Sequence, residues 1–250
     1  MLRRARREDT ESLVAFNRSV HTYAGPGLAE AIADWTRERM TRPHPGVSPA
    51  GFTVVEDTRT GAIVSSLCLI SQTWGYGGVP LGVGRVETVG THPGYRRRGL
   101  VRAQFREVHA WSAVRGHLLN YIGGLPNFYR QFGYEPALDQ QSGRAGPSGY
   151  VPALAEREVE PYRVRPAEEG DVHFIAHLAE HAAGRYLVTC RRDEALWRFE
   201  LGGRDERDLD GHHLAVIESA AGESAGLLAY RGDPEAGVHA YELTPGVSWA

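Results

Sequence analysis

A run of ten residues carries the densest chemistry in the chain. Thr91-His92-Pro93-Gly94-Tyr95-Arg96-Arg97-Arg98-Gly99-Leu100 follows a stretch rich in β-branched residues, Val83–His92, and leads into an amphipathic pattern through Phe105, Val108, Trp111 and Val114. The first stretch reads as a strand and the second as a helix. A strand that feeds a basic, glycine-containing turn at a helix N-terminus suits a phosphate group. Free N–H groups of the first helical turn point at the anion, the helix dipole adds partial positive charge, and glycine lets backbone approach closely. Arg96, Arg97 and Arg98 add charge for a pyrophosphate or a 3′-phosphate. By spacing alone the same arginines equally fit a solvated basic turn.

This turn resembles the acyl-CoA-binding motif of the GNAT superfamily of N-acetyltransferases, Arg/Gln-x-x-Gly-x-Gly/Ala after a strand. Arg96 and Gly99 fit it. Val101 departs at the last position, where a small residue is usual; a larger residue there resembles the tandem-domain, Eis-like group. A second match follows at the family's spacing: Asn127-Phe128-Tyr129-Arg130-Gln131-Phe132-Gly133-Tyr134-Glu135 is similar to its FYxxFGF segment. The resemblance with both motifs covers residues 1–138.

The resemblance implies a fold in which two central parallel strands, here Val83–Thr91 and Leu118–Ile122, splay apart to admit the pantetheine arm. It implies acetyl-CoA as cosubstrate and no metal. The amine of a small molecule or peptide would attack the thioester directly in a ternary complex. Cofactor contacts fall on Val89, Gly90, Thr91, Arg96, Arg97, Arg98, Gly99, Leu100, Val101 and Asn127. Backbone N–H groups near Val89 would polarise the thioester carbonyl. Tyr129 would protonate the departing thiolate; read without the family, it is an amphipathic core tyrosine beside Phe128 and Phe132. Glu87, an acid embedded in an apolar strand, is the first choice of base, with a structural carboxylate as its plainer reading. His92 is a weaker candidate, and His21 and Glu56 have no supporting pattern. A water chain would also serve.

The elements that must position these residues belong to an internal repeat. At one fixed offset Arg3 matches Arg165, Ala5 Ala167, Asp9 Asp171, Leu13 Ile175 and Trp35 Trp197. One residue of slippage later, Val55 matches Val216, Asp57 Glu218 and Gly61 Gly222. Each copy reads as a short strand, a turn with an Asp N-cap, two helices and a hairpin. The hairpins are Phe52–Asp57 with Ala62–Ile70, and Leu214–Glu218 with Ser224–Tyr230. Residues 139–159 are rich in Gly, Pro, Ser and Gln and read as a connection. The expected organisation is an α/β, mixed-sheet catalytic domain over 1–145, a linker over 146–160, and a degenerate, partial second copy over 161–250. That copy stops before the segment corresponding to the phosphate turn, so the chemistry occurs once.

Composition narrows the field. The chain has 250 residues and a formal net charge of -3, which gives no electrostatic case for nucleic acid. All 28 basic residues are arginine. Without lysine, neither a Walker-type phosphate loop nor a Schiff-base nucleophile can be built. Two cysteines, Cys68 and Cys190, make no disulfide framework and no metal knuckle, and fit free thiols in a reducing compartment. No apolar run reaches the ~18 residues of a membrane span. A cytoplasmic protein without membrane or nucleic-acid partners is expected, and a homo-oligomer is compatible with the sequence.

Other patterns carry less. His177-Leu178-Ala179-Glu180-His181 has the HxxEH zinc spacing but reads as a polar helix face. Gly75–Gly84 does not complete a dinucleotide fingerprint and precedes a strand, so it reads as a turn between strands. Glu30, Asp34 and Glu38 form a stripe at helical spacing that would attract a cationic amine but fits a solvated face paired with Arg37 and Arg39. The function read from these features is N-acetyl transfer. The competing classes are an acyl-CoA-binding sensor without turnover and a structural domain without a coenzyme site.

Overall fold

The computed structural model describes residues 1–23, 25–138, 159–203, 211–231 and 238–247. The chain divides into two compact units. The expected linker over 146–160 lies outside the described residues, apart from positions 159 and 160.

The first unit opens with strand β1 (Leu2–Arg4), followed by helices α1 (Thr10–Val20) and α2 (Pro26–Thr41). Strands β2 (Phe52–Glu56), β3 (Ile63–Tyr76) and β4 (Val79–Thr91) then form an antiparallel meander. Helix α3 (Leu100–Val114) crosses over to β5 (His117–Ile122), which pairs parallel to β4, and a short helix α4 (Pro126–Tyr129) follows. The result is a mixed sheet in the order β1-β2-β3-β4-β5. Apolar residues of α1 and α2 (Leu13, Phe16, Trp35, Met40) pack with Phe52, Val54 and Cys68 of the strands. Phe105, Val108 and Trp111 of α3 pack with Leu67, Leu69 and Val86. Buried polar groups cross-link these layers. Gln104 of α3 donates to the Thr53 carbonyl, and its Oε1 lies 2.6 Å from the Ser65 hydroxyl, which is also within hydrogen-bond reach of the Gly90 carbonyl. Asn17 of α1 donates to Thr36 of α2 and accepts from Ser66 of β3.

In the second unit, β6 (Tyr162–Pro166) leads to α5 (Val172–Ala183). Strand β7 (Val188–Arg191) falls with the first unit through Cys190 and pairs there with β3, and helix α6 (Glu194–Arg198) of the second unit follows. Strands β8 (His213–Ser219), β9 (Ser224–Tyr230) and β10 (Val238–Leu243) then form a sheet in the order β10-β9-β8-β6. Val172, Ile175, Leu178 and Trp197 pack on Leu214, Leu227 and Ala229.

Several sequence expectations change. Leu118–Ile122 is an edge strand among the described residues, not a central one; Leu118 is 76% and Leu119 53% exposed. Asp9 and Asp171 make no N-cap bond to the following helix. Each accepts a bidentate bond from an arginine (Arg3 and Arg165, at 2.6–2.8 Å) and the backbone N–H three residues earlier. Arg3 also donates to Glu56, and Arg165 to Glu218. Glu218 therefore corresponds to Glu56 rather than Asp57, and the one-residue slip falls in the hairpin turn beyond it. Glu38 is buried and ion-paired with Arg39 and Arg42, so the stripe with Glu30 and Asp34 is not one solvated face. The strands of the first hairpin pair reach further than expected: β3 and β4 pair to Tyr76–Val79, so most of Gly75–Gly84 is strand. No described helix is long and apolar enough to cross a membrane. On α5, His173 pairs with Glu194 and Glu180 with Arg191, and no metal-ligand cluster occurs among the described residues.

Candidate active site

Two irregularities of β4 create the site. The first is its divergence from β5. The parallel ladder runs from Gly82 to Val86 and ends there, opposite Ile122. Beyond Val86, the edge of β4 that faced β5 has no strand partner among the described residues, and its backbone groups face outward from the ladder. The second is a bulge. Between Ser66 and Cys68 the ladder with β3 steps from Gly90 to Glu87, so β4 spends one extra residue. Thr88 takes up the irregularity at φ 49°, a left-handed conformation costly for a β-branched residue. Bulges of this kind re-aim backbone and side chains at functional positions.

The turn after β4 is tied down at several points. The His92 ring accepts from the Gly94 N–H at 3.2 Å, which gives His92 a structural role in the turn. Tyr95 donates its hydroxyl to Asp57 of the β2–β3 turn. Arg98 donates to the Gly94 carbonyl at 3.1 Å and lies over the Tyr95 ring. Arg97 has φ 62°, and Gly99 has φ 71° at the N-cap of α3 with no side-chain cap. Thr88 and Arg97 are the two described non-glycine residues with positive φ. Strain in this unit is thus confined to the bulge and the turn. The first N–H groups of α3 are left facing the cleft mouth without a capping side chain, the arrangement that binds anions.

A cleft of about 790 Å³ joins these features. Its walls include Val89, Gly90 and Thr91 of β4, the whole turn from Tyr95 to Arg102, the end of α1 with Val20 and His21, and Phe128, Tyr129 and Phe132. Of the residues expected from sequence to contact coenzyme, Val89, Gly90, Thr91, Arg96, Arg97, Arg98, Gly99, Leu100 and Val101 all line it. Asn127 sits exposed on α4 and is not among the lining residues.

Tyr129 is half-buried beside Phe105 and Phe128. Burial, the Glu87 carboxylate and Tyr23 together push its phenol up to about 12. Glu87 itself accepts from Arg85 at 2.6 Å and does not line the cleft. Its influence on Tyr129 is electrostatic. His21, for which the sequence offers no pattern, is 6% exposed and lines the cleft from the α1 side. Burial lowers its pKa, opposed by the nearby backbone of Thr88, so the ring is neutral near pH 7. Gly90 makes this approach feasible: a Cβ there would lie 2.7 Å from Val20 Cγ2 and 3.3 Å from His21 Nε2.

The sequence profile of the GNAT acetyltransferase domain matches residues 2–137. No curated protein matches the chain in sequence. Solved structures share the fold, among them the following three. A GCN5-related N-acetyltransferase from Kribbella flavida aligns with TM-score 0.65 at 16% identity, over 98% of this chain and 57% of that one. A probable N-acyltransferase from Enterococcus faecalis V583 aligns with TM-score 0.60 at 15% identity, over 94% of this chain and 55% of that one. Saccharomyces cerevisiae N-myristoyltransferase with bound myristoyl-CoA aligns with TM-score 0.63 at 11% identity, over 97% and 62% respectively. The chain spans 55–62% of the length of these structures.

Proposed function

The chain belongs to the GNAT acetyltransferase family, and from that premise we propose that it transfers an acyl group from acyl-CoA, with acetyl-CoA as donor, to a primary amine of a small molecule or peptide. The carrying observation is one cleft whose wall holds the β4 segment Val89–Thr91 beyond the end of the β5 ladder, the Arg96–Val101 turn and Tyr129 together. In this reading the turn and the start of α3 hold the diphosphate, and the free edge of β4 pairs with the pantetheine amides. The bulge aims backbone N–H groups at the thioester oxygen, where negative charge develops. Tyr129 gives its proton to the leaving thiolate. A phenol held protonated by burial and by a neighbouring carboxylate is suited to donate rather than accept.

Among the described residues, the charged side chains lining the cleft are Arg96, Arg97, Arg98 and Arg102. The other side carries Tyr23, Leu125 and Phe128, which are 79%, 68% and 39% exposed. That lining favours an acceptor with one amine and an apolar body. The second unit is read as a degenerate copy of the first, on the strength of the matching Arg–Asp–Glu clusters.

Thiol release from acetyl-CoA over a panel of amines tests the proposal. Turnover with an amine supports it. Binding of acetyl-CoA without thiol release, whatever amine is supplied, would favour the sensor reading. No binding would remove both.

A further inference from the structure

We infer that His21 takes the proton of the acceptor amine, a role that rests on the acyl-transfer reading above. His21 follows the last turn of α1, and its Nε2 is buried without a hydrogen-bond partner. Four buried side-chain atoms among the described residues share that condition. Two of them are His21 Nε2 and Thr88 Oγ1, and at the bulge of β4 the Thr88 backbone hydrogen-bonds the imidazole. A buried polar atom without a partner is costly, and native structures retain one where an occupant or a function accounts for it. Gly90, next to the expected thioester, packs against the ring, and a Cβ there would lie 3.3 Å from Nε2.

The surroundings leave the ring as the available base. The Tyr23 ring stands 6.1 Å from it. On β4 the nearby charges are Glu87 and Arg85, bonded to one another. On β3 the Cys68 thiol is held protonated by burial. Across the cleft is Tyr129, and on α1 and α2 Arg18 pairs with Glu30 in solvent. A neutral imidazole offers a lone pair to an ammonium group. The ammonium gives one proton to Nε2, and the freed amine nitrogen bonds to the acyl carbon. The C–S bond breaks and the thiolate takes the Tyr129 proton. The nitrogen loses its second proton to restore Tyr129, and His21 releases its own to solvent, so each turnover yields amide, free thiol and one proton.

The test compares wild type with His21→Gln on two acceptors, an alkylamine that is charged at pH 7 and aniline, which is neutral. The variant is expected to lose about 10²-fold in kcat/KM with the alkylamine. With aniline it loses far less, its KM for acetyl-CoA is unchanged, and the acid limb of its kcat profile disappears. Equal losses on both acceptors, or a retained acid limb, overturn the role. An undiminished His21→Gln enzyme overturns it alone, whereas a wild type that releases no thiol with any amine overturns the acyl-transfer reading as well. Should His21→Gln fail to fold, NMR titration of the wild-type His21 ring decides: an alkylamine added with CoA is expected to displace the resonance, and a resonance that does not move refutes the role.

Discussion

The Glu87 carboxylate on β4 raises the phenol of Tyr129 on α4, adding to the effect of burial. The pair combines a residue that does not line the cleft with one that does, and it divides the labour of the site. In the proposed reaction Tyr129 holds the proton and the Glu87 carboxylate opposes its loss. Tyr129→Phe is expected to lower kcat by about 10²–10⁴-fold while leaving the KM for acetyl-CoA nearly unchanged. Steady-state kinetics decide this, and equal turnover would remove Tyr129 from the role.

Glu87→Gln isolates the electrostatic part. Without the carboxylate, less free energy opposes the phenolate, so Tyr129 should ionise at lower pH than in wild type. Ultraviolet difference titration of Glu87→Gln against Glu87→Gln/Tyr129→Phe reads that pKa directly. An unshifted phenol would mean that the Glu87 carboxylate has no part in setting it.

Two glycines of the site should respond to alanine for different reasons. At Gly90 a Cβ collides with Val20, and α1 must move, so Gly90→Ala should cost about 1–3 kcal/mol and depress kcat. At Gly99 nothing lies within 4 Å of a Cβ, and the penalty is backbone strain at φ 71°, about 1–2 kcal/mol. Denaturant midpoints and kcat for both variants test the contrast.

The arginines of the turn should govern coenzyme affinity through charge. Arg98→Ala is expected to weaken acetyl-CoA binding by about 1–3 kcal/mol, and wild-type affinity should fall as salt rises. Titration calorimetry at two ionic strengths checks both, and an unchanged Kd would place the Arg98 side chain in solvent.

What the sequence disclosed was local. The phosphate turn is legible because strand, glycine, arginines and helix are contiguous, and the hairpins because alternation and turn residues are contiguous too. The misses share the opposite property. Leu118 and Leu119 look buried because an apolar run carries no mark of its place at a sheet edge. The bulge at Thr88 is one extra residue in an otherwise regular strand. Glu38 looks like a surface acid until Arg39 and Arg42 are folded around it. His21 belongs to no motif, and only the packing of α1 on Gly90 brings it to the cleft.

Arg3–Asp9 and Arg165–Asp171 place the same ion pair at the start of each unit, and both should appear in the acid limb of stability. In each pair, the hydrogen bond from the arginine is the largest cause of a lowered aspartate pKa. A carboxylate whose folded pKa lies below its unfolded value of about 3.9 contributes stability above that value and loses it as pH falls through the folded pKa. Asp9→Asn and Asp171→Asn should therefore lower stability at pH 7 by about 1 kcal/mol each, the pairs being partly screened by solvent. They should also flatten the decline in Tm between pH 5 and pH 2 relative to wild type. Calorimetric scans across that range test the sign as well as the size. A variant whose Tm falls as steeply as wild type on acidification would show that its aspartate is not the group titrating.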